Sequence, residues 1–205
     1  MRLLVATTNK NKVKEIRAIL HGLDVELLTL DAWPAVSAPD ETGRTFADNA
    51  RQKATYYAHA TGELVVAEDS GLEIDALDGA PGVESARFGG PALDYPGKFA
   101  LIEEQLRASG QEHRTARFVC ALALVRGATV LFETRGAVEG QIVLPPRGTN
   151  GFGYDPIFLY PPYGRTLAEA TQEEKAAVSH RGKAFRGLRR FLETLNSQVS
   201  TPRTQ

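Results

Sequence analysis

The stretch from Leu64 to Leu77, Leu-Val-Val-Ala-Glu-Asp-Ser-Gly-Leu-Glu-Ile-Asp-Ala-Leu, narrows most sharply what this chain can fold into. It opens as an apolar run of strand length, meets adjacent carboxylates at Glu68 and Asp69, and breaks at Ser70-Gly71. It then resumes with Leu72, Ile74 and Ala76 alternating against Glu73 and Asp75. That pattern predicts a buried strand, a turn and a half-buried strand. Carboxylates at the end of a buried strand repel each other and lose hydration, so they stay ionised where a cation or a basic side chain lies close by. A metal site is one reading of the pair, and a solvated acidic turn between two strands is the other.

Taken in order, the rest of the chain has an α/β opening. Arg2 to Ala6 reads as a strand, Thr7 to Asn11 as a polar connection, and Val13, Ile16, Ile19 and Leu20 as the apolar stripe of a first helix. Asp24 to Leu30 suits a second strand, and Ala32 to Gly43 a loop. Thr45 with Asp48 three residues on predicts a capped helix that lasts to about His59. After the central stretch, a Gly/Pro-rich loop spans Asp78 to Gly97, with Ser85 to Phe88 as a short strand, and Lys98 to Ser109 is helical. Thr115 to Val125 and Thr129 to Val138 predict a β-hairpin around Arg126-Gly127-Ala128. Ile142 to Tyr163 is punctuated by glycine and proline as a functional loop would be. A final helix from about His180 to Asn196 turns Ala184, Leu188, Phe191, Leu192 and Leu195 inward, and the polar residues from Ser197 onward read as a disordered tail.

A net charge of -1 gives no general attraction for nucleic acid or an anionic membrane, so phosphate chemistry would need a local cluster of basic side chains. Cys120, the only cysteine, lies in the apolar run from Phe118 to Val125, where a small buried side chain is expected and no internal disulfide can form. Leu3 to Ala6 is too short for a signal-peptide core or a membrane span, and the expectation is a soluble cytoplasmic protein.

Four further stretches carry chemistry. Thr7-Thr8-Asn9-Lys10-Asn11-Lys12 sits where a strand meets a helix, and backbone N–H groups with Thr, Asn and Lys side chains there suit an anion such as phosphate; a plain helix cap explains the same residues. The helix from Thr45 places Phe46, Asn49, Ala50, Lys53, Ala54 and Tyr57 on one stripe, so Lys53 either snorkels to water or points into a polar cleft towards Glu41 and Asp69. Gly148-Thr149-Asn150-Gly151-Phe152-Gly153-Tyr154-Asp155-Pro156 has no dinucleotide-binding spacing; its glycines would let Phe152 and Tyr154 face a planar ligand while Asp155 hydrogen-bonds it, and a plain surface loop is the other reading. Thr171 to Lys175 and then Ser179-His180-Arg181-Gly182 at the head of the last helix bring Lys175, His180 and Arg181 within seven positions, as a cationic site or as a solvated basic helix start.

These stretches occur together and in order. Thr8-Asn9 with Lys12 and Glu15, Glu41-Thr42-Gly43 with Thr45-Phe46, Asn49-Ala50 and Lys53, Asp69-Ser70-Gly71-Leu72, Gly79-Ala80-Pro81-Gly82, Ser85-Ala86-Arg87, Gly151 to Pro156 and Ser179-His180-Arg181-Gly182 closely resemble the inosine triphosphate pyrophosphatase family, from residue 3 to about residue 195. Two positions depart from it: Asn11 stands where the family usually has glycine, and Glu68 where it often has aspartate.

The resemblance implies an α/β, two-lobed fold on a long mixed β-sheet with flanking helices, over residues 1–196 as one domain, with the active site in a cleft between lobes and a homodimer as the usual state. It implies Mg²⁺-dependent hydrolysis of noncanonical purine nucleoside triphosphates (ITP, dITP, XTP) to the monophosphate and pyrophosphate. By that resemblance Thr7, Thr8, Asn9, Lys10, Asn11, Lys12, Lys53 and Ser70 hold the triphosphate, Glu41 and Asp69 hold magnesium, and Asp69 activates water. Phe152, Gly153, Tyr154, Asp155, Lys175, His180 and Arg181 enclose the base. Glu68 belongs to an outer shell, since neighbours on a strand point to opposite faces. The alternatives are a Maf-type pyrophosphatase of other specificity and a non-catalytic nucleotide sensor.

Overall fold

Leu3, Leu4 and Val5 are buried in a first strand, β1 (Arg2–Val5), which hydrogen-bonds in parallel to β2 (Glu26–Thr29) on one side and to β3 (Leu64–Ile74) on the other. Parallel neighbours need crossover connections, and α1 (Lys10–Leu20) and α2 (Phe46–Thr61) lie in those two connections. The chain continues through α3 (Tyr95–Ala108), β4 (Thr115–Arg126), β5 (Thr129–Ile142), β6 (Phe158–Tyr160), β7 (Arg165–Thr166), α4 (Gln172–Val178) and α5 (His180–Ser200). The strands form a seven-stranded mixed sheet of order β2-β1-β3-β4-β5-β6-β7, in which β5, β6 and β7 pair antiparallel. The expected α/β class with a long mixed sheet is what the chain adopts. This computed structural model describes the backbone of residues 1–200 and the side chains of residues 1–197.

The chain divides into two compact units. The first comprises Met1–Asp69, Ala121–Gly136 and the described residues from Arg181. In it α2 buries Phe46, Asn49, Ala50, Ala54 and Tyr57 of the expected stripe together with Ala58, leaves Lys53 half-buried, and starts at Thr45, whose hydroxyl accepts the Asp48 N–H at 3.1 Å. Gly62, at φ +72°, ends it in the left-handed conformation that glycine adopts without strain. The second unit comprises Ser70–Cys120 and Ala137–His180, and its core gathers Leu72, Ile74, Phe99, Ile102, Leu106, Phe118, Val138, Tyr154, Ile157 and Phe158. Cys120 is buried, as its apolar surroundings predict.

Four local expectations need correcting. The turn at Ser70-Gly71 is absent, because β3 runs unbroken from Leu64 to Ile74. Gly71 is there for close approach: a Cβ would collide with Ser85 Oγ and stand 2.6 Å from the Gly82 carbonyl oxygen. Ser85 to Phe88 is not a strand but a succession of turns after a 3₁₀ helix, Gly82–Glu84. Helix α3 begins three residues early, at Tyr95, where the Asp94 side chain accepts the Gly97 N–H at 2.9 Å. The tail expected from Ser197 is helical to Ser200, and the rest of that tail lies outside the described residues. Among the described residues no helix is long and apolar enough to cross a membrane.

The close packing at Gly71 has a measurable consequence. Gly71→Ala should lower the unfolding free energy by about 1–3 kcal/mol, the usual cost of overpacking. Adding Ser85→Ala should recover only part of it, since the Gly82 carbonyl remains in the way. Urea unfolding of the two variants measures both effects, and a midpoint for Gly71→Ala equal to that of the parent would show that β3 has room at this position.

Candidate active site

Glu68 and Asp69 are 3% and 7% exposed, two consecutive carboxylates inside one strand. Strand alternation sends their side chains to opposite faces, and each finds a different set of partners. Glu68 Oε1 accepts from Arg181 Nε at 3.1 Å and pairs with Lys12 Nζ at 3.0 Å, while Arg181 Nη1 also donates to Glu15 Oε2 at 2.7 Å. Lys12 and Glu15 stand three residues apart on α1, so one helix face presents both to the strand. Burial alone would push the Glu68 carboxyl up, but Arg181 and Lys12 outweigh it and hold the group well below the usual carboxylate range.

Asp69 is held more loosely. Its Oδ2 accepts from Asn49 Nδ2 at 3.0 Å, and its Oδ1 lies 3.9 Å from Lys53 Nζ. Burial raises its carboxyl above the ordinary value, and Lys53 and Asn49 offset only part of that. Asn49 binds a second partner through its other amide atom: Oδ1 accepts the Gly43 N–H at 2.7 Å and so pins the Glu41-Thr42-Gly43 loop. A Cβ at Gly43 would come within 2.5 Å of that same oxygen, so the loop needs glycine there. The pinned loop carries Glu41, whose Oε1 accepts from Lys53 Nζ at 2.5 Å. Lys53 therefore faces both Glu41 and Asp69 and does not snorkel, its side chain being 15% exposed. Burial would depress the Lys53 ammonium, but Asp69, Glu41 and Glu68 together raise its pKa.

The connection before α1 forms a helix cap, one of the two readings its residues allow. Asn9 caps the helix, its Oδ1 accepting from the N–H groups of Asn11 at 3.0 Å and Lys12 at 3.2 Å, and Thr7 Oγ1 accepts the Asn9 N–H. Three of the amides in this stretch, those of Asn9, Asn11 and Lys12, are thus already bonded within the chain. Thr8, Lys10 and Asn11 are exposed at this end of the helix. Asn11 lies inside α1 with a negative φ, Asp78 being the only non-glycine residue of positive φ among the described residues. Asparagine in place of glycine therefore asks nothing unusual of the backbone.

The second unit assembles its own group. Asp155 is 2% exposed, and its Oδ2 accepts from Phe152 N at 2.8 Å and from Lys175 Nζ at 2.7 Å. Lys175 Nζ also lies 4.5 Å from the centre of the Phe152 ring, a cation–π contact. Gly151, at φ +74°, permits this wrap, since a Cβ there would collide with Asp155 Oδ2. Tyr154 does not face a ligand as expected. It is 4% exposed, belongs to the apolar core, and donates its hydroxyl to the Ser85 carbonyl at 2.8 Å. His180 is buried and stacks on Phe118, ring centres 4.9 Å apart. His180 and Arg181, expected to read the base side by side, thus serve different neighbours, and the chain passes from one unit to the other between them. It does the same between Asp69 and Ser70. Ser70, expected to hold phosphate, lies half-buried in β3.

Lys175 stands on a separate short helix, α4, and not at the head of the last helix, while Lys98 and Tyr95 are not singled out for the site by the sequence. The signal for α4 was present in Thr171-x-x-Glu174, which forms a full capping box. Lys98 follows a glycine and precedes an apolar stripe, and nothing local marks it as buried. For a metal, Glu41 and Asp69 offer hard oxygen donors in one neighbourhood, bridged here by Lys53. Among the described residues no group of three or more His, Cys, Asp or Glu side chains is placed to hold an ion.

Comparison with known proteins places the chain in a family. The model of the Ham1 family matches residues 3–191. A dITP/XTP pyrophosphatase of an Exiguobacterium species is 50% identical over 188 residues, 92% of this chain and 95% of that protein. The solved structure of a HAM1 protein from Coxiella burnetii superposes with a TM-score of 0.90 at 38% identity, covering 95% of this chain and 99% of that one. A nucleoside-triphosphatase, a dITP/XTP pyrophosphatase from Mycobacterium abscessus, superposes with a TM-score of 0.74 at 41% identity, covering 98% of this chain and 100% of that one.

The ionic cluster on β3 predicts a large effect from a small change. Glu68→Gln leaves Arg181 and Lys12 beside a neutral amide and should cost about 3–5 kcal/mol of unfolding free energy, the range for breaking a buried pair. A loss below about 1 kcal/mol in urea unfolding, the level of an exposed pair, would show that water compensates the Arg181 guanidinium.

Proposed function

Because the chain belongs to the Ham1 family, we propose that it hydrolyses noncanonical purine nucleoside triphosphates such as dITP, XTP and ITP to the monophosphate and pyrophosphate. The observation that carries this reading is the environment of Asp69: a buried carboxyl of raised pKa, oriented by Asn49 and facing a lysine that also holds Glu41. A carboxylate whose proton affinity is raised is suited to take the proton of an attacking water. Lys53 stands beside it as a cation for the negative charge that gathers on the leaving pyrophosphate. The bond broken joins the α-phosphorus to the bridging oxygen, the bond formed joins that phosphorus to the water oxygen, and the water proton goes to Asp69.

Magnesium is part of the proposal. Glu41 and Asp69 would hold it, and when bound it would neutralise phosphate charge and lower the pKa of a bound water. Thr7 to Lys12, Lys53 and Ser70 would hold the triphosphate, with the Asn9 cap giving up amides to do so. Phe152, Gly153, Asp155, Lys175, His180 and Arg181 would meet the base, and Tyr154 would support that loop from the core. A contact of Arg181 with a purine 6-carbonyl would have to coexist with its bonds to Glu68 and Glu15. A cytoplasmic location and a homodimer complete the reading, and the family resemblance is what supports the homodimer.

Pyrophosphate release measured with ITP, XTP, GTP and ATP side by side, with and without Mg²⁺, tests the reading as a whole. Release should be fast for ITP and XTP, slow for GTP and ATP, and dependent on Mg²⁺; equal turnover of ATP and ITP would overturn it. Within that assay, Asp69→Asn keeps the shape and removes the base, so turnover should fall at least about 10²-fold while the fold is retained. Near-parental turnover in a folded Asp69→Asn protein would place the base elsewhere.

A further inference from the structure

Lys98 is a buried cation that neither charged group above uses. It is 4% exposed, and no carboxylate among the described residues lies within ion-pair distance of its ammonium. It sits in the first turn of α3, where the helix dipole disfavours positive charge, and burial pulls its pKa below that of an ordinary lysine. Its contacts are the Ala86 carbonyl oxygen at 2.5 Å and the Tyr95 ring, whose centre is 5.0 Å away. An unbranched apolar side chain such as methionine would fill this space without the desolvation cost, so packing alone does not account for the ammonium.

What the ammonium holds is a junction. Ala86 follows Ser85, whose hydroxyl accepts the Leu72 N–H of β3 at 2.9 Å and donates to Gly82 O at 2.6 Å. The Ser85 carbonyl accepts the Tyr154 hydroxyl at 2.8 Å. Two consecutive carbonyls, of Ser85 and Ala86, are thus clamped by Tyr154 and by Lys98. The first turn of α3 meets the same loop again through Tyr95, which packs edge-on against Tyr154 at 5.3 Å and 88°. A Cβ at Gly153 would lie 3.5 Å from the Tyr95 hydroxyl. Tyr154 is followed by Asp155, the carboxylate on which Phe152 N and Lys175 converge.

We propose that Lys98 is a positioning residue for base binding, which through the Ala86 carbonyl fixes the Ser85-Ala86 turn and through Tyr154 fixes the loop that carries Phe152 and Asp155. This role rests on the nucleotide-hydrolysing function given above and adds a determinant of affinity at the base end. Lys98→Met should leave the reacting groups on β3 and α2 undisturbed, so the change should fall on KM and not on kcat.

The test compares the parent, Lys98→Met, Lys98→Arg, Tyr154→Phe and the Lys98→Met/Tyr154→Phe double variant. The readouts are kcat and KM for ITP, the dissociation constant of IMP by calorimetry, and the urea midpoint. In Lys98→Met, KM and the IMP dissociation constant should both rise at least about fivefold, part of the factor of ten or more that a charge-assisted hydrogen bond is worth, with kcat within about twofold and no fall in the midpoint. Lys98→Arg should restore part of the affinity, and the double variant should bind IMP about as weakly as the weaker single variant, because both act through one turn. An unchanged KM in Lys98→Met, or a lower midpoint accompanied by a loss of kcat, would overturn the positioning role while leaving the enzyme's function intact. A parent protein that neither releases pyrophosphate from ITP nor binds IMP would overturn the proposed function itself, and this role with it.

Discussion

Two adjacent carboxylates buried in one strand pose the electrostatic problem on which the first unit is built. Like charges about 4 Å apart repel by about 4 kcal/mol near a protein surface and by more in a drier interior, before their lost hydration is counted. The strand separates them by pointing them to opposite faces, and the surrounding elements supply cations to each. Glu68 receives a guanidinium and an ammonium at hydrogen-bond distance and is fixed as an anion. Asp69 receives an amide at 3.0 Å and an ammonium only at 3.9 Å, and its proton affinity rises. One carboxylate is thereby a structural charge that ties α1 and α5 to β3, and its neighbour remains able to exchange protons. The sequence position that makes them neighbours also makes them chemically unlike.

The second unit solves a related problem with fewer charges. Asp155 and Lys175 form a buried pair at 2.7 Å, and such pairs contribute little net stability but fix geometry strongly. Here the geometry fixed is that of Phe152, whose N–H bonds the carboxylate and whose ring lies against the ammonium. Tyr154 drives the next side chain of the loop into the apolar core and leaves its hydroxyl to a backbone carbonyl. The alternation of glycine with aromatic residues is therefore a device for placing one ring outside the core and the next one in it.

Much of this was legible in the sequence wherever the signal is local. The stripe on α2 follows from spacing by three and four, and the Thr45 cap from a side chain three residues before its partner. Lys53 could be placed on the inward face by that count, although the count leaves snorkelling open. Where partners are distant, local reading failed. Gly71 looked like a turn because glycine marks both turns and close approaches, and only Ser85, fourteen positions on, tells which. Arg181 and Glu15 are separated by 166 positions, so periodicity cannot pair them, and Arg181 was assigned to the base alone. The strands β6 and β7, three and two residues long, carry too little pattern to be read between prolines and glycines.

Lys53 shows how one side chain can serve two states of such a site. Its ammonium holds Glu41 at 2.5 Å and faces Asp69 at 3.9 Å, so the two carboxylates share a counter-ion supplied by α2. On the proposed reading, a divalent cation taken up by those carboxylates would displace the lysine electrostatically, since two like charges cannot hold the same oxygens at close range. The substrate that brings the cation also brings phosphate oxygens, and the released ammonium would find its new partner among them. Without substrate, Lys53 holds Glu41 and faces Asp69; with it, the same charge would neutralise the leaving group.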